Sequence, residues 1–256
     1  MKPIQLILSD LDGTLLRDDK SLSPYTQEVL RRCREKGVLF FPATARPRRA
    51  LERYIHGLSY DGVMCHNGGV VVHQGAVLWE QGIAPQLRDQ VIAGILEEFP
   101  EAKLSAEIQE TLFANLDASQ LWPGTVYTYS HMGDLPALPT EKLMMSVACP
   151  QQVERLRQLL PKSLALEVSE GTLAMIQPKG VDKGSGLRGL CQTLDIPLDA
   201  VVGFGDDRND IPLLSACGWG VAVANALPEV KNAAREVCPS NEEDGVARWL
   251  EAHLLG

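Results

Sequence analysis

A short, almost unbroken apolar run, Ile4-Gln5-Leu6-Ile7-Leu8, stops abruptly at Asp10-Leu11-Asp12-Gly13-Thr14. A strand with one wet face alternates apolar and polar residues, whereas this run suits a strand buried on both faces of a parallel sheet, with helices above and below. Ser23-Pro24 then offers an N-cap with proline at the first helical position. Val29, Leu30 and Cys33 recur at helical spacing and Gly37 can close the turn, which predicts a helix from about Pro24 to Lys36. Val38-Leu39-Phe40-Phe41 is a second strand, followed by Thr44, Arg46 and a helical stretch through Leu51, Tyr54 and Ile55. Gly62 to Cys65 reads as a third strand, and Val70 to His73 with Ala76 to Trp79 flank Gln74-Gly75 as a small antiparallel hairpin.

After Gly82 this rhythm is lost. A helix from Pro85 to Phe99 is followed by strand-like pieces near 103–108 and 111–115, a Gly- and Pro-containing stretch around 123–139, a strand over 143–148, a helix over 150–160 and a hairpin over 164–168 and 172–177. That order is typical of an α+β unit with an antiparallel sheet. From Gly180 the strand-helix alternation returns: a helix from Lys183 to Leu194, a strand over 200–204, a helix near 211–215, a strand over 220–223 and a terminal helix. The expected organisation is an α/β core with a doubly wound parallel sheet, built from residues 1–81 and 181–256, interrupted by an α+β domain over 82–180.

Composition narrows the range of partners. The 256 residues are 45% apolar and 22% charged, as in ordinary globular proteins, and their 24 basic and 33 acidic side chains give a net charge of −9. A surface that grips nucleic acid through its phosphates normally carries the opposite sign, so neither a nucleic acid nor an anionic membrane is expected as partner, and no protein partner is inferred. The six cysteines are scattered without a C-x-x-C pair, and the N-terminal apolar run is too short and too acidic for a signal segment. No stretch approaches membrane-spanning length, and a cytoplasmic location is expected.

In such a sheet, ligands bind where the loops at the carboxyl ends of the strands meet. Three of those loops carry unusual polar content: Asp10 to Thr14, Thr44-Ala45-Arg46, and Gly205-Asp206-Asp207-Arg208-Asn209-Asp210, with Lys183 opening the helix that precedes the third. Several carboxylates in one small space repel by about 4 kcal/mol per pair at 4 Å and an effective dielectric near 20, which calls for a cation. Hard oxygen donors beside a phosphate favour magnesium, and carboxylate, Mg2+, lysine and hydroxyl together point to phosphoryl chemistry.

The tracts D-L-D-G-T-L and G-D-D-R-N-D resemble the haloacid dehalogenase-like phosphohydrolase superfamily. The isolated second loop, the Lys183 helix start and the large insert between the second and third motifs are similar to its Cof-type branch, whose cap domain is inserted there. The resemblance implies a Rossmann-like core and a magnesium-dependent phosphatase that acts on a small phosphorylated metabolite, such as a sugar phosphate, through a phosphoaspartyl intermediate. It implies that Asp10 attacks phosphorus and that Asp12 protonates the leaving oxygen and then deprotonates water. It further implies that Thr44 and Lys183 bind the phosphoryl oxygens, that Asp206, the Asp10 carboxylate and the Asp12 backbone carbonyl hold the metal, and that Asn209 and Asp210 orient the phosphate, Lys183 or a metal water. Arg46 would reach a second anionic group of the substrate and Asp207 would be a supporting neighbour. Ala45 departs from the glycine usual after the motif threonine. A phosphosugar mutase on the same fold and a receiver-like phosphoacceptor module are the alternatives.

Other motifs weigh less. Gly184, Gly186 and Gly189 form G-x-G-x-x-G, but the preceding strand belongs to the antiparallel insert, so close helix packing is expected in place of a dinucleotide site. The EF-hand spacing and a P-loop are absent, the five histidines show no metal spacing, and Asn67-Gly68-Gly69 reads as turn chemistry, with contact to substrate as the alternative because it starts from the same sheet edge as Thr44.

Overall fold

The computed structural model of the protein describes residues 3–51, 54–169 and 171–256. The chain forms two compact units, Met1–Glu80 with Asp182–Gly256, and Gln81–Val181. The first contains β1 (Leu6–Ser9), α1 (Pro24–Glu35), β2 (Leu39–Pro42), β3 (Gly62–Cys65), β4 (Val70–His73) and β5 (Ala76–Glu80). The second follows with α2 (Pro85–Glu98), β6 (Leu104–Ile108), β7 (Thr111–Ala114), β8 (Thr128–Tyr129), β9 (Lys142–Ser146), α3 (Pro150–Leu159), β10 (Leu164–Ser169) and β11 (Leu173–Pro178). The first unit is then completed by α4 (Lys183–Leu194), β12 (Val201–Gly205), α5 (Ile211–Ala216), β13 (Trp219–Val223), α6 (Pro228–Ala233), β14 (Glu236–Cys238) and α7 (Gly245–Leu250).

The core sheet has the order β14-β13-β12-β1-β2, every pair parallel, with Leu6 opposite both Val201 and Leu39. Alternate residues of its strands feed two separate cores. Ile7, Phe40, Val202 and Phe204 pack with Val29 and Leu30 of α1 and Trp249 of α7, while Leu6, Leu8, Phe41 and Val201 pack with Leu187 and Leu190 of α4 and Leu213 of α5. Burial on both faces is why the first strand shows no alternation of polarity. β1 is followed by β2 on one side and is flanked by β12 on the other, so the order of the chain reverses there, and the switch point where such sheets bind ligands lies beside Asp10.

A separate three-stranded antiparallel sheet, β3-β4-β5, contains the hairpin at Gln74-Gly75, whose φ values of 49° and 83° suit a tight primed turn. The 81–181 unit has a six-stranded sheet in the order β10-β11-β9-β6-β7-β8, antiparallel except for β7 with β8. One face of that sheet, through Leu104, Ala106, Leu143, Met145 and Ile176, packs with Val91, Ile92 and Ile95 of α2 and Leu156 of α3. No helix among the described residues is long and apolar enough to cross a membrane.

The helix expected through Leu51, Tyr54 and Ile55 is replaced by a short 3-10 segment at Arg48–Ala50 and isolated turns; Glu52 and Arg53 of that stretch lie outside the described residues. Leu51 and Ile55 are still buried, so two anchors hold the segment down, while adjacent arginines give a regular helix no support. Three elements went unread: β8, two residues long, α6, six residues long, and β14, a three-residue edge strand, all too short to show a period.

The glycines of the G-x-G-x-x-G tract are packing glycines. A Cβ on Gly184 would lie 2.5 Å from the Pro212 carbonyl oxygen, one on Gly186 would lie 2.8 Å from the Gly68 Cα, and one on Gly189 would lie 2.4 Å from the Trp79 indole. No room is left beside them for a pyrophosphate.

Candidate active site

Asp10 follows the last residue of β1, and its backbone N–H continues the parallel ladder by donating to the Phe204 carbonyl at 3.0 Å. Lys183 stands at the first position of α4, whose N-cap Asp182 and Ser185 form a reciprocal capping box. That cap fixes the helix start, and the fully buried lysine reaches back to the sheet edge. Its Nζ donates at 2.5 Å to Asp10 Oδ1 and at 2.5 Å to Asp210 Oδ1.

Asp210 is itself fully buried, and its second oxygen accepts from the backbone N–H groups of Asp206 at 2.9 Å and Asp207 at 3.1 Å. Both Asp210 oxygens are therefore occupied, and the residue shapes the loop after β12 while it holds the lysine. Asp206 Oδ1 accepts from Thr14 Oγ1 at 2.5 Å, which joins that loop to the one after β1. Gly13, at φ +81°, makes the approach feasible: a Cβ there would sit 2.6 Å from Asp206 Oδ2. Asn225 steadies the same turn by donating to the Gly13 carbonyl at 2.7 Å.

Asp10, Asp206 and Asp210 each offer an oxygen within 4.8 Å of the others. At that separation each ionised pair repels by about 3–4 kcal/mol at an effective dielectric near 20, and a single ammonium neutralises only one of the three charges. Burial first, and then the negative neighbours Asp210 and Asp206, push the Asp10 carboxyl up to about 8 against the pull of Lys183. Burial, with Asp210 adding to it against the Thr14 bond, raises Asp206 to about 6. Burial disfavours the ammonium of Lys183, but Asp10 and Asp210 outweigh it and the group stays charged. Lys183 thus keeps its proton, and Asp10 is the carboxylate that yields. The cluster is short of positive charge, and its donors are all hard oxygens, which fits a divalent cation such as Mg2+.

This imbalance has a measurable consequence. Asp10 and Asp206 have raised values in the folded state, so their contribution to stability is complete below about pH 4 and declines as pH rises towards 8, by at most about 1.4 kcal/mol per pH unit for each proton. The melting temperature of metal-free protein is expected to fall between pH 5 and pH 8, and this fall should be shallower in Asp10→Asn. Equal slopes in the two proteins would remove Asp10 as its source.

The carboxylate of Asp12 does not join that cluster. It forms a two-pronged pair with Arg46, at 2.7 and 3.0 Å, and an ion pair with Lys20 at 2.9 Å. Burial would raise its pKa, but these two cations together hold it below the usual carboxylate range. Arg46 also lies over the Tyr54 ring, 4.4 Å from its centroid. Thr44 is buried after β2, where its hydroxyl accepts the Arg46 N–H at 3.1 Å. Asn209 donates to Asn67 Oδ1 at 3.0 Å. Asp207 is exposed and caps the turn at Arg208–Asp210.

The structure therefore gathers Asp10, Lys183, Asp206 and Asp210 at one point and sets the Asp12 carboxylate and Arg46 together as a separate pair, while the exposed Asp207 side chain is engaged in capping its own turn. Lys20, Thr14 and Asn225 have no part in the expectations from sequence, and Asn67 enters them only as a turn residue on the same sheet edge as Thr44. Thr14 lies inside the D-L-D-G-T motif but its letter alone assigns no partner, Lys20 and Asn225 carry no signal beyond lying in loops, and Asn67 sits in an N-G-G tract that reads as a plain turn.

Comparison with known proteins gives the family and the likeness of fold. Residues 7–250 match the family of haloacid dehalogenase-like hydrolases. A phosphoglycolate phosphatase of Methanopyrus kandleri is 30% identical, with 97% of each chain covered. A 5-amino-6-(5-phospho-D-ribitylamino)uracil phosphatase of Bacillus subtilis is 28% identical, again over 97% of each chain. A crystal structure from Thermotoga maritima superposes with a TM-score of 0.85 over 97% of each chain at 24% identity, a likeness of fold. Because the family match runs through nearly the whole chain, this chain belongs to the haloacid dehalogenase-like hydrolase family.

Proposed function

We propose that the protein is a magnesium-dependent phosphatase that hydrolyses a small phosphomonoester, such as a sugar phosphate, through a covalent intermediate on Asp10. The observation that carries this reading is the division of labour between two carboxylates only two residues apart. Asp10 lies at the mouth of the sheet against Lys183, whereas Asp12 is held by Arg46 and Lys20. Pairs of carboxylates in different environments are how acid, base and nucleophile roles are separated.

In this mechanism an Asp10 oxygen forms a bond to phosphorus while the ester oxygen leaves and takes a proton from Asp12. Water then attacks the phosphoaspartate, Asp12 accepts its proton, and the bond between phosphorus and the Asp10 oxygen breaks to release inorganic phosphate. The pairing of Asp12 with two cations favours the ionised form that serves the water step. Protonation of the leaving oxygen requires Asp12 to move off those cations. Lys183 and the Thr44 hydroxyl would neutralise and orient the phosphoryl oxygens, Asn209 would help orient them, and Arg46 would take a further anionic group. Asp10, Asp206 and the Asp12 carbonyl would hold Mg2+, which neutralises the charge of the transferring group. Discrimination between metabolites would belong to the 81–181 unit, acting as the cap. Relatives named as phosphatases of phosphoglycolate and of a phosphoribityl compound support a small phosphorylated substrate and lend none to a mutase or a receiver-like switch.

The test is phosphate release from para-nitrophenyl phosphate. Turnover should require added Mg2+ and stop in EDTA, and Asp12→Asn should lower kcat by roughly 10²–10⁴-fold, the usual worth of general acid-base help. Activity undiminished by the chelator would remove the metal from the reading, and a near-normal rate in Asp12→Asn would remove that carboxylate.

A further inference from the structure

The turn that follows β3 touches the loop after β2, the start of α4 and the loop after β12. His66 N–H donates to the Arg46 carbonyl at 3.2 Å and Asn67 N–H to the Thr44 carbonyl at 3.0 Å, which ties the turn to the loop after β2. Gly68, at φ +91°, lies against the start of α4, where a Cβ would come 2.1 Å from the Asp182 carbonyl oxygen and 3.1 Å from the Lys183 Cα. Asn67 reaches the loop after β12 through its bond to Asn209. Thr44, Lys183 and Asn209 are thus all adjusted against one turn.

We propose that Asn67 is a positioning residue that sets the orientation of the Asn209 side chain, and so of the phosphate-facing loop after β12. Asn67 is 9% exposed and its backbone is left-handed, with φ 54° and ψ 38°. Glycine would serve that backbone as well as asparagine, so conformation alone does not account for the amide. The amide has a task of its own. A primary amide presents a carbonyl oxygen on one side and two N–H donors on the other, and half a turn about its last bond exchanges them. By accepting one N–H of Asn209, Asn67 Oδ1 decides which way that amide faces, leaving the Asn209 carbonyl oxygen and second N–H in a defined place.

The inference rests on the phosphatase reading for its consequence in catalysis, and it is testable through a double-mutant cycle. Asn67→Gly keeps the left-handed backbone and deletes the amide. It should fold with an unchanged melting profile and lose roughly five- to tenfold in kcat/KM on para-nitrophenyl phosphate, the scale of one well-placed hydrogen bond. The same change made on top of Asn209→Ala should cost nothing further. Asn67→Asp, which keeps an acceptor oxygen and tolerates the same backbone, should retain more activity than the glycine variant. A wild-type rate in Asn67→Gly, an equal loss in the Asn209→Ala background, or less activity in the aspartate variant than in the glycine variant each overturns the proposal. The side-chain amide resonances of Asn209 give a readout that needs no turnover: they should move in Asn67→Gly, and unmoved resonances overturn the pairing. A wild-type protein that releases no phosphate defeats the phosphatase reading, while an active one with additive variants defeats only the assignment of Asn67.

Discussion

Asp10→Asn is expected to abolish phosphate release, with a fall in kcat of at least about 10⁴-fold, since removal of a covalent nucleophile costs on that order or more. The amide has nearly the shape of the carboxylate but cannot form the phosphoaspartate. Its effect on stability should run the other way. Asp10 is buried among like charges, and at pH 8 its ionised form is held against burial, Asp206 and Asp210 with only Lys183 in its favour. A neutral side chain removes that opposition, so the variant should melt higher than metal-free wild type at pH 8 while being catalytically dead. Measurable turnover in this variant, after contaminating phosphatase has been excluded by a mock purification, would end the covalent mechanism. A fall in melting temperature would show instead that the carboxylate's bond to Lys183 outweighs the repulsion.

Lys183→Met should be costly on both counts. The lysine is fully buried and is the one cation bonded to both Asp10 and Asp210 among the described residues. Loss of one partner from a buried ion pair typically costs about 3–5 kcal/mol, because the charge left behind has neither water nor a partner. Asp10, already pushed up to about 8 by burial, can escape the penalty by binding a proton, so the urea midpoint should drop far more at pH 7.5 than at pH 5. Activity at both pH values should fall by roughly 10²–10³-fold, the scale of one preorganised charge aimed at the transferring group. A midpoint equally displaced at the two pH values would mean that Lys183 contributes packing only. An activity close to wild type would separate it from the chemistry.

Both expectations turn on charges that are far apart in the chain, and the sequence made their types plain long before their distances. The apolar run ahead of Asp10, the proline-headed helix at Pro24 and the return of strand-helix alternation after Gly180 are local signals, set by burial on two faces and by capping chemistry, and the structure has these elements within a residue or two. The arginine-rich stretch around Leu51 misled because its apolar spacing is helical while its actual structure is decided by where Leu51 and Ile55 find room in the core. Short elements such as β14 were illegible, since three residues cannot display a period.

For the site, residue types and loop positions alone pointed to a cation and to phosphoryl chemistry, because aspartates that end strands of one parallel sheet must share an edge. The individual roles came only with the likeness to a known family. Which carboxylate does what could not be read from D-L-D-G-T. Two aspartates two residues apart look alike in the chain, yet one faces Lys183, Asp206 and Asp210 and the other faces Arg46 and Lys20. Asn67 was hidden for a different reason: an N-G-G turn has the same letters whether its amide meets solvent or Asn209. The sequence by itself determined the two-faced parallel sheet and the family, since strand burial, helix caps and contiguous motifs are short-range properties. Tertiary structure alone decided which charges lie close enough to shift one another, because Coulomb interaction depends on separation and burial in space, and neither is written into spacing along the chain.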